Sequence, residues 1–305
     1  MNWFLIAFTS AVFSASSTIL EKKALFSLNA FNFSFLVSIV TLLFSIPFFW
    51  LVQYDNVFSF SLLILFFKTI LSATAFLCVM QAIKNLEISE ALPLLAISPG
   101  LVAIAGSFLI NDSLTGQEWL GVFLMVAGTY ILEIQKQSDS LLEPFRVLFR
   151  SSKYIYVFTA LILFMVSSLL DRVLLKDYML PPYTFMAFQQ LFYVIIYAAA
   201  ALIISIIYKM RGRSEANLLT RFTLRDITKK IFILIVFISV FTVIYRYTQI
   251  EATRIAPVAL VLSVKRLSVL MAVAFGGKLF SEGNLLRKIT AAVIILIGTT
   301  ILMLD

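Results

Sequence analysis

The sequence predicts an all-α integral membrane protein, with ten transmembrane helices forming two inverted five-helix repeats around a central cavity. Three observations predict it. Of 305 residues, 61% are hydrophobic and 13% charged, with a mean hydropathy of +1.01, whereas soluble domains average about 45–50% apolar and about 25% charged. Apolar stretches of roughly 20 residues, long enough to cross a bilayer, recur along the whole chain. Matching residues also recur in the same order in both halves.

The spans fall at 3–20, 31–51, 60–83, 88–110, 117–134, 154–175, 183–208, 228–249, 252–275 and 286–303. The first lacks Lys or Arg ahead of its apolar region and no A-x-A site follows, so it reads as a helix and not as a signal peptide. It carries Ser10, Ser14, Ser17 and Glu21, and the second carries Ser34, Ser38, Thr41 and Ser45. Both sets share one helix face. Lys68 in the third span shares a face with Ser72 and Ala75, and snorkelling to the interface competes with a buried role. Pro93 and Pro99-Gly100 fall in the fourth span, and Gly121 and Gly128 in the fifth.

The second half repeats the first. Asp171-Arg172 ends the sixth span as Glu21-Lys22 ends the first. Glu251 and Pro257 repeat the spacing of Glu87 and Pro93, and Ala291 and Gly298 repeat that of Gly121 and Gly128. Small residues at such spacing let helices approach closely. Pro93 and Pro257 occupy matching positions and are candidate hinges. The seventh span carries Gln190, Tyr193 and Tyr197, and the eighth Ser239, Thr242, Arg246 and Gln249. In a bilayer such polar faces turn to other helices or to water. They either hold the bundle together or line a cavity.

The ninth span holds the adjacent cations Lys265 and Arg266. Each costs about 2.5–3.5 kcal/mol to insert at mid-membrane. They answer either a buried acid (Glu21, Glu87, Asp171 or Glu251) or an anionic substrate. Arg offers a planar fork and Lys a mobile point charge. Shifted back by the 164 residues between Pro257 and Pro93, the pair falls on Leu101 and Val102, so it belongs to one half only.

The chain thus divides into a first repeat at 1–135, a connecting loop at 136–152 and a second repeat at 153–305. An odd number of spans per repeat inverts the second copy, and the substrate site of such folds lies near the midplane. Of 24 Lys and Arg residues, 17 lie in or at the edges of the first, third, fifth, seventh and ninth connections and three in or at the edges of the others. This bias places both termini outside the cytoplasm of a multi-pass protein in the cell's inner membrane. With no His and one Cys, structural zinc, His proton relays and an intrachain disulfide are excluded. No metal site, cofactor, catalytic motif or nucleic-acid partner is expected, because the carboxylates are dispersed and the basic residues sit in short loops.

The tandem blocks Ser89-Glu90-Ala91-Leu92-Pro93-Leu94 through Gly128, and Arg254-Ile255-Ala256-Pro257 through Gly298, resemble the EamA-like ten-span form of the drug/metabolite transporter superfamily. The resemblance covers nearly the whole chain and lies in the duplicated order. It implies export or exchange of metabolites. In the sugar-phosphate and nucleotide-sugar branches a Lys-Arg pair in the ninth helix contacts the anionic group, which implies anion contact for Lys265 and Arg266. Well-studied members place both termini in the cytoplasm, opposite to the charge bias here.

The expectation is a secondary transporter, exporter or exchanger, of a small polar metabolite that is anionic or zwitterionic. The alternatives are a flippase of a lipid-linked anion and a non-transporting scaffold or lipid-binding subunit. Candidate substrate ligands are Lys265, Arg266, Arg246, Lys68, Gln190, Tyr193 and Ser14. Glu21 and Asp171 are the proton-coupling candidates. The expected partners are the small-molecule substrate and the lipid bilayer, with the protein a monomer or homodimer.

Overall fold

The structure is a computed structural model that describes residues 3–52, 59–86, 95, 98, 101–102, 105–106, 115–133, 154–210, 229–279, 290, 293–294, 297–298 and 301. Among the described residues there are helices and no strands. They are α1 (Trp3–Leu25), α2 (Ala30–Phe49), α3 (Ser59–Asn85), α4 (Gly116–Glu133), α5 (Ile155–Lys176), α6 (Pro182–Met210), α7 (Lys229–Ile255), α8 (Val258–Lys265) and α9 (Leu267–Leu279). Among the described residues, seven segments are long and apolar enough to cross a membrane: α1, α2, α3, α5, α6, α7, and α8 with α9 together. The described residues of the fourth and tenth spans are helical. Glu87, Pro93, Pro99-Gly100 and Ala291 lie outside the described residues.

Polarity is reversed relative to a water-soluble fold. Ser10, Ser17, Glu21, Lys68, Asp171 and Gln189 are buried, while Leu5, Leu43, Phe67, Leu202, Ile203 and Phe237 are exposed. In hydrocarbon, polar side chains find partners only inside the protein. The hydroxyl stripe on α2 is accordingly buried throughout, and that on α1 is buried at Ser10, Ser17 and Glu21 and half-buried at Ser14.

Helices of the first half pack chiefly on helices of the second. The most extensive pairings are α1 with α7, α3 with α5, and α2 with α6, followed by α2 with α7, α1 with α8 and α9, and α3 with α6. Gly298 makes the close approach its spacing predicts. A Cβ there would lie 2.8 Å from Gly121 O and 3.0 Å from Met125 N of α4.

Several boundaries differ from the sequence reading. Helix α1 continues to Leu25, so Glu21 and Lys22 lie within it and not at its end. Lys22 can be buried there because its Nζ donates to the carbonyls of Ile83 and Leu86 at the end of α3. Arg172 does the same in the second half, its Nη1 donating to Thr253 O near the end of α7. Each base thereby satisfies carbonyls that a helix end leaves unpaired.

Residues Ala252–Ile255 belong to α7 and not to the ninth span. Pro257 lies between helices, as the N-cap of α8 (φ −53°, ψ 135°), and not inside one. Proline lacks an N–H and disfavours helical geometry in the residue before it, so α7 must stop. The ninth span is also two helices. The chain breaks at Arg266, whose N–H is shared between Leu262 O at 3.0 Å and Ser263 O at 3.1 Å. The basic pair therefore sits half-buried on a helix junction within the bundle.

Local signals begin two other helices. Asn29 Oδ1 accepts from the Asn32 N–H at 2.7 Å and caps α2. At α4 the Thr115 N–H donates to Glu118 Oε2 (2.8 Å) and the Glu118 N–H to Thr115 Oγ1 (3.3 Å), a reciprocal capping box.

Candidate functional site

Among the described residues, two neighbouring cavities lie within the bundle. The larger holds about 700 Å³ of empty space, including its open mouth, between Ser14, Thr18 and Glu21 of α1, Phe76, Val79, Met80 and Ile83 of α3, and Lys265, Arg266 and Ser268 at the α8–α9 junction. The smaller holds about 370 Å³ between Ser34, Ser38 and Thr41 of α2, Gln190, Tyr193 and Tyr197 of α6, and Thr242 and Arg246 of α7. Phe76 and Tyr245 line both, so these two aromatic side chains stand at the partition.

The cations are held by neutral partners. Lys265 Nζ donates to Gln249 Oε1 and lies 4.8 Å from the centre of the Tyr245 ring. Arg246 Nη1 donates to the same Gln249 oxygen at 3.3 Å, and its Nη2 to Gln189 Oε1 at 3.0 Å. Arg266 Nη2 donates to Ser98 Oγ. Among the described residues, no carboxylate oxygen lies within 4.0 Å of these three cations. An arginine fork and an ammonium so placed have no carboxylate partner among the described residues, and their donors suit an anion.

Lys68 has a different fate. Its side chain is 0% exposed and its Nζ lies 2.6 Å from Asp171 Oδ1, with the Phe185 ring centre 4.8 Å away. It does not snorkel. It and Asp171 line neither cavity. One turn deeper, Ser72 and Ser167 share a hydrogen bond of 2.6 Å across the same α3–α5 contact. Around the ion pair lies a buried apolar cluster that includes Leu65, Leu174, Leu180, Phe185 and Ile250. Stacked Phe48 and Tyr247, at 5.1 Å, cover its rim. These residues come from the end of α2, the start of α3, the end of α5 and the connection after it, the start of α6 and the end of α7. Among the described residues this end of the bundle is thus closely packed, and the ion pair lies outside both cavities.

The hydroxyl stripe of α1 divides by role. Ser10 Oγ donates to Tyr245 O at 2.7 Å and Ser17 Oγ to Glu21 Oε1 at 2.8 Å, whereas Ser14 and Glu21 line the larger cavity. Gln190 and Tyr193 line the smaller cavity with Arg246, where Tyr193 stacks on Tyr197 at 6.2 Å. Lys265, Arg266, Ser14 and Glu21 are therefore brought together around one cavity and Gln190, Tyr193 and Arg246 around the other.

Sequence reasoning missed four groups at the site. Gln249 stood in the stripe of the eighth span, and its distance from Lys265 in the chain hid its role. Gln189 neighbours Gln190 but faces Arg246 from the α6 side. Tyr245 and Phe76 carry no polar signal above the aromatic background of such a chain.

Polar faces buried in an apolar helical bundle, with cations around a mid-bundle cavity, are the features of a membrane transporter. Residues 1–134 match the EamA-like transporter family. The EamA match lies within the drug/metabolite transporter superfamily and relates the chain to membrane transporters. No curated protein matches the sequence. Among solved structures, one crystal structure superposes with a TM-score of 0.68 at 13% identity, covering 98% of this chain and 95% of the other. At that identity the likeness speaks for the fold alone.

Proposed function

We propose that this EamA-related protein is a secondary transporter, an exporter or exchanger, of a small metabolite with at least one anionic group. It works by alternating access in the cell's inner membrane. The observation that carries the reading is the set of Lys265, Arg266 and Arg246, half-buried around two adjoining cavities and held by uncharged partners. A buried cation costs free energy unless something negative answers it, and in this site the ligand supplies that answer. Glu21 on the opposite wall offers a place for an ammonium group, which extends the range to zwitterions.

The ten-span inverted repeat accounts for the helix pairing. A two-fold relating the first span to the sixth and the third to the eighth exchanges the α1–α7 contact with the α3–α5 contact and maps α2–α6 onto itself. The same operation relates Lys22 on Ile83 O to Arg172 on Thr253 O. Close packing of one end around Lys68–Asp171, outside both cavities, fits one of the two states that alternating access requires. The helix junction at Arg266 and the Pro257 cap supply places where the second half can flex.

Asp171 is committed to Lys68, so Glu21 is the better proton-coupling candidate. The cation excess that argues for external termini includes Lys22 and Lys84. Lys84 Nζ donates to Leu28 O at 3.0 Å, so both serve helix ends as well as orientation.

The test is a thermal-shift comparison of purified protein with inorganic phosphate, acetate, glycine and an uncharged polyol. A ligand at 100 times its Kd stabilises by about 2.7 kcal/mol. Anions or zwitterions should raise the unfolding temperature of the parent and not of Lys265→Ala or Arg266→Ala. Identical responses in parent and variants, or no response to any anion, would remove the cationic site.

A further inference from the structure

Gln249 is 5% exposed and lines neither cavity, yet its single amide oxygen accepts hydrogen bonds from two cations on different helices. Lys265 reaches it from the end of α8, and Arg246 from one turn back on α7. Both partners are donors only, so the side chain must present oxygen, not nitrogen, to them. Two positive groups brought to one buried point are ordinarily bridged by a carboxylate, which cancels one charge. Here an amide of the same shape does the bridging and cancels none.

We propose that Gln249 is a positioning residue that sets the charge selectivity of the site. It fixes Lys265 against the larger cavity and Arg246 against the smaller while leaving both charges for an anionic ligand. The proposal rests on the transporter reading above. Gln189 repeats the device on the other Nη of Arg246, and the Ser98 hydroxyl serves Arg266 in the same neutral manner. The two acids nearest in the fold are otherwise engaged. Asp171 is paired with Lys68, and Glu21, bonded by Ser17, lies on the α1 wall of the larger cavity. Nothing charged among the described residues replaces the missing counter-ion within 4.0 Å.

The test is Gln249→Glu, which keeps the side-chain shape and both hydrogen bonds but adds the counter-charge. Binding of inorganic phosphate, pyrophosphate and acetate is measured by calorimetry on purified full-length protein. Thermal unfolding is followed in the absence of ligand. The expected result is a loss of about tenfold or more in anion affinity, with the unfolding temperature kept or raised. Gln117→Glu adds the same charge at an exposed position on α4 and should leave affinity unchanged. Gln249→Leu removes the acceptor without adding charge, and should lower stability and weaken binding less than Gln249→Glu does.

A purely structural Gln249 gives the opposite pattern. Gln249→Glu would then bind as the parent does, and Gln249→Leu would carry the whole loss. That outcome overturns the proposal while leaving the cationic site standing, provided Lys265→Ala still loses binding. If no anion binds the parent, the cationic-site reading itself falls, and this inference with it.

Discussion

Removing the charge of Asp171 tests the closely packed end of the bundle most directly. Lys68 has no exposed side-chain surface, Asp171 only 9%, and their charged atoms are 2.6 Å apart. At an effective dielectric of about 20, the gross attraction over that distance is about 6 kcal/mol. Desolvation of both ions offsets most of it, so the intact pair contributes little net stability over a well-packed apolar pair. Breaking it is a different matter. Asp171→Asn leaves Lys68 buried opposite a neutral amide, with only the Phe185 ring, worth about 0.5–2 kcal/mol, to face it. The expected cost is about 3–5 kcal/mol, a fall of about 6–10 °C in unfolding temperature for a chain at the large end of the usual scaling. The double variant Lys68→Met with Asp171→Leu should recover most of the loss, which gives a strong coupling in the mutant cycle. Cys78 is the only cysteine and is partly buried, so reaction of a thiol dye reports unfolding at a single site. Parent and variants are compared at one scan rate. An Asp171→Asn protein that unfolds with the parent, or a double variant no better than the single one, would refute a buried ion pair.

Two further outcomes follow from the packing. Lys22→Met should remove two charge-assisted hydrogen bonds to the end of α3, at about 1.5–3 kcal/mol each, and Arg172→Met should show the same sign at the end of α7. The dye assay reads both, and a neutral Lys22→Met would deny that the base caps the helix. Gly298→Val should destabilise by about 1–3 kcal/mol or reduce yield of folded protein in membranes, because its Cβ would meet Gly121 O at 2.8 Å and neither backbone can yield cheaply. Gly116→Val, where nothing lies within 4 Å of the added carbon, is the control and should be far milder.

How much of the site was legible depends on the kind of signal each residue carries. Lys265 and Arg266 stand out in any apolar window, because a charge in hydrocarbon is costly wherever its partner lies. Ser14, Gln190, Tyr193 and Arg246 were legible as members of helical faces, and a polar face on a membrane helix can turn only inward. Lys68 was equally visible, but its role was not. Snorkelling, ligand contact and ion pairing all fit the same local pattern, and Asp171, its partner, sits on another helix of the other half. The break at Arg266 was illegible for a related reason. No proline or glycine marks it, and the local residues are as compatible with a continuous helix.

Composition alone therefore determined that this is a membrane protein, because the bilayer admits only apolar spans that satisfy their own backbone. Periodicity determined which faces turn inward, because helical geometry is local. The tertiary structure decided which cation meets which group: Lys68 receives the carboxylate of Asp171, while Lys265 and Arg246 share the uncharged oxygen of Gln249. That division depends on ångström distances between helices far apart in the chain, and electrostatic pairing at such range follows from packing, not from spacing along the sequence.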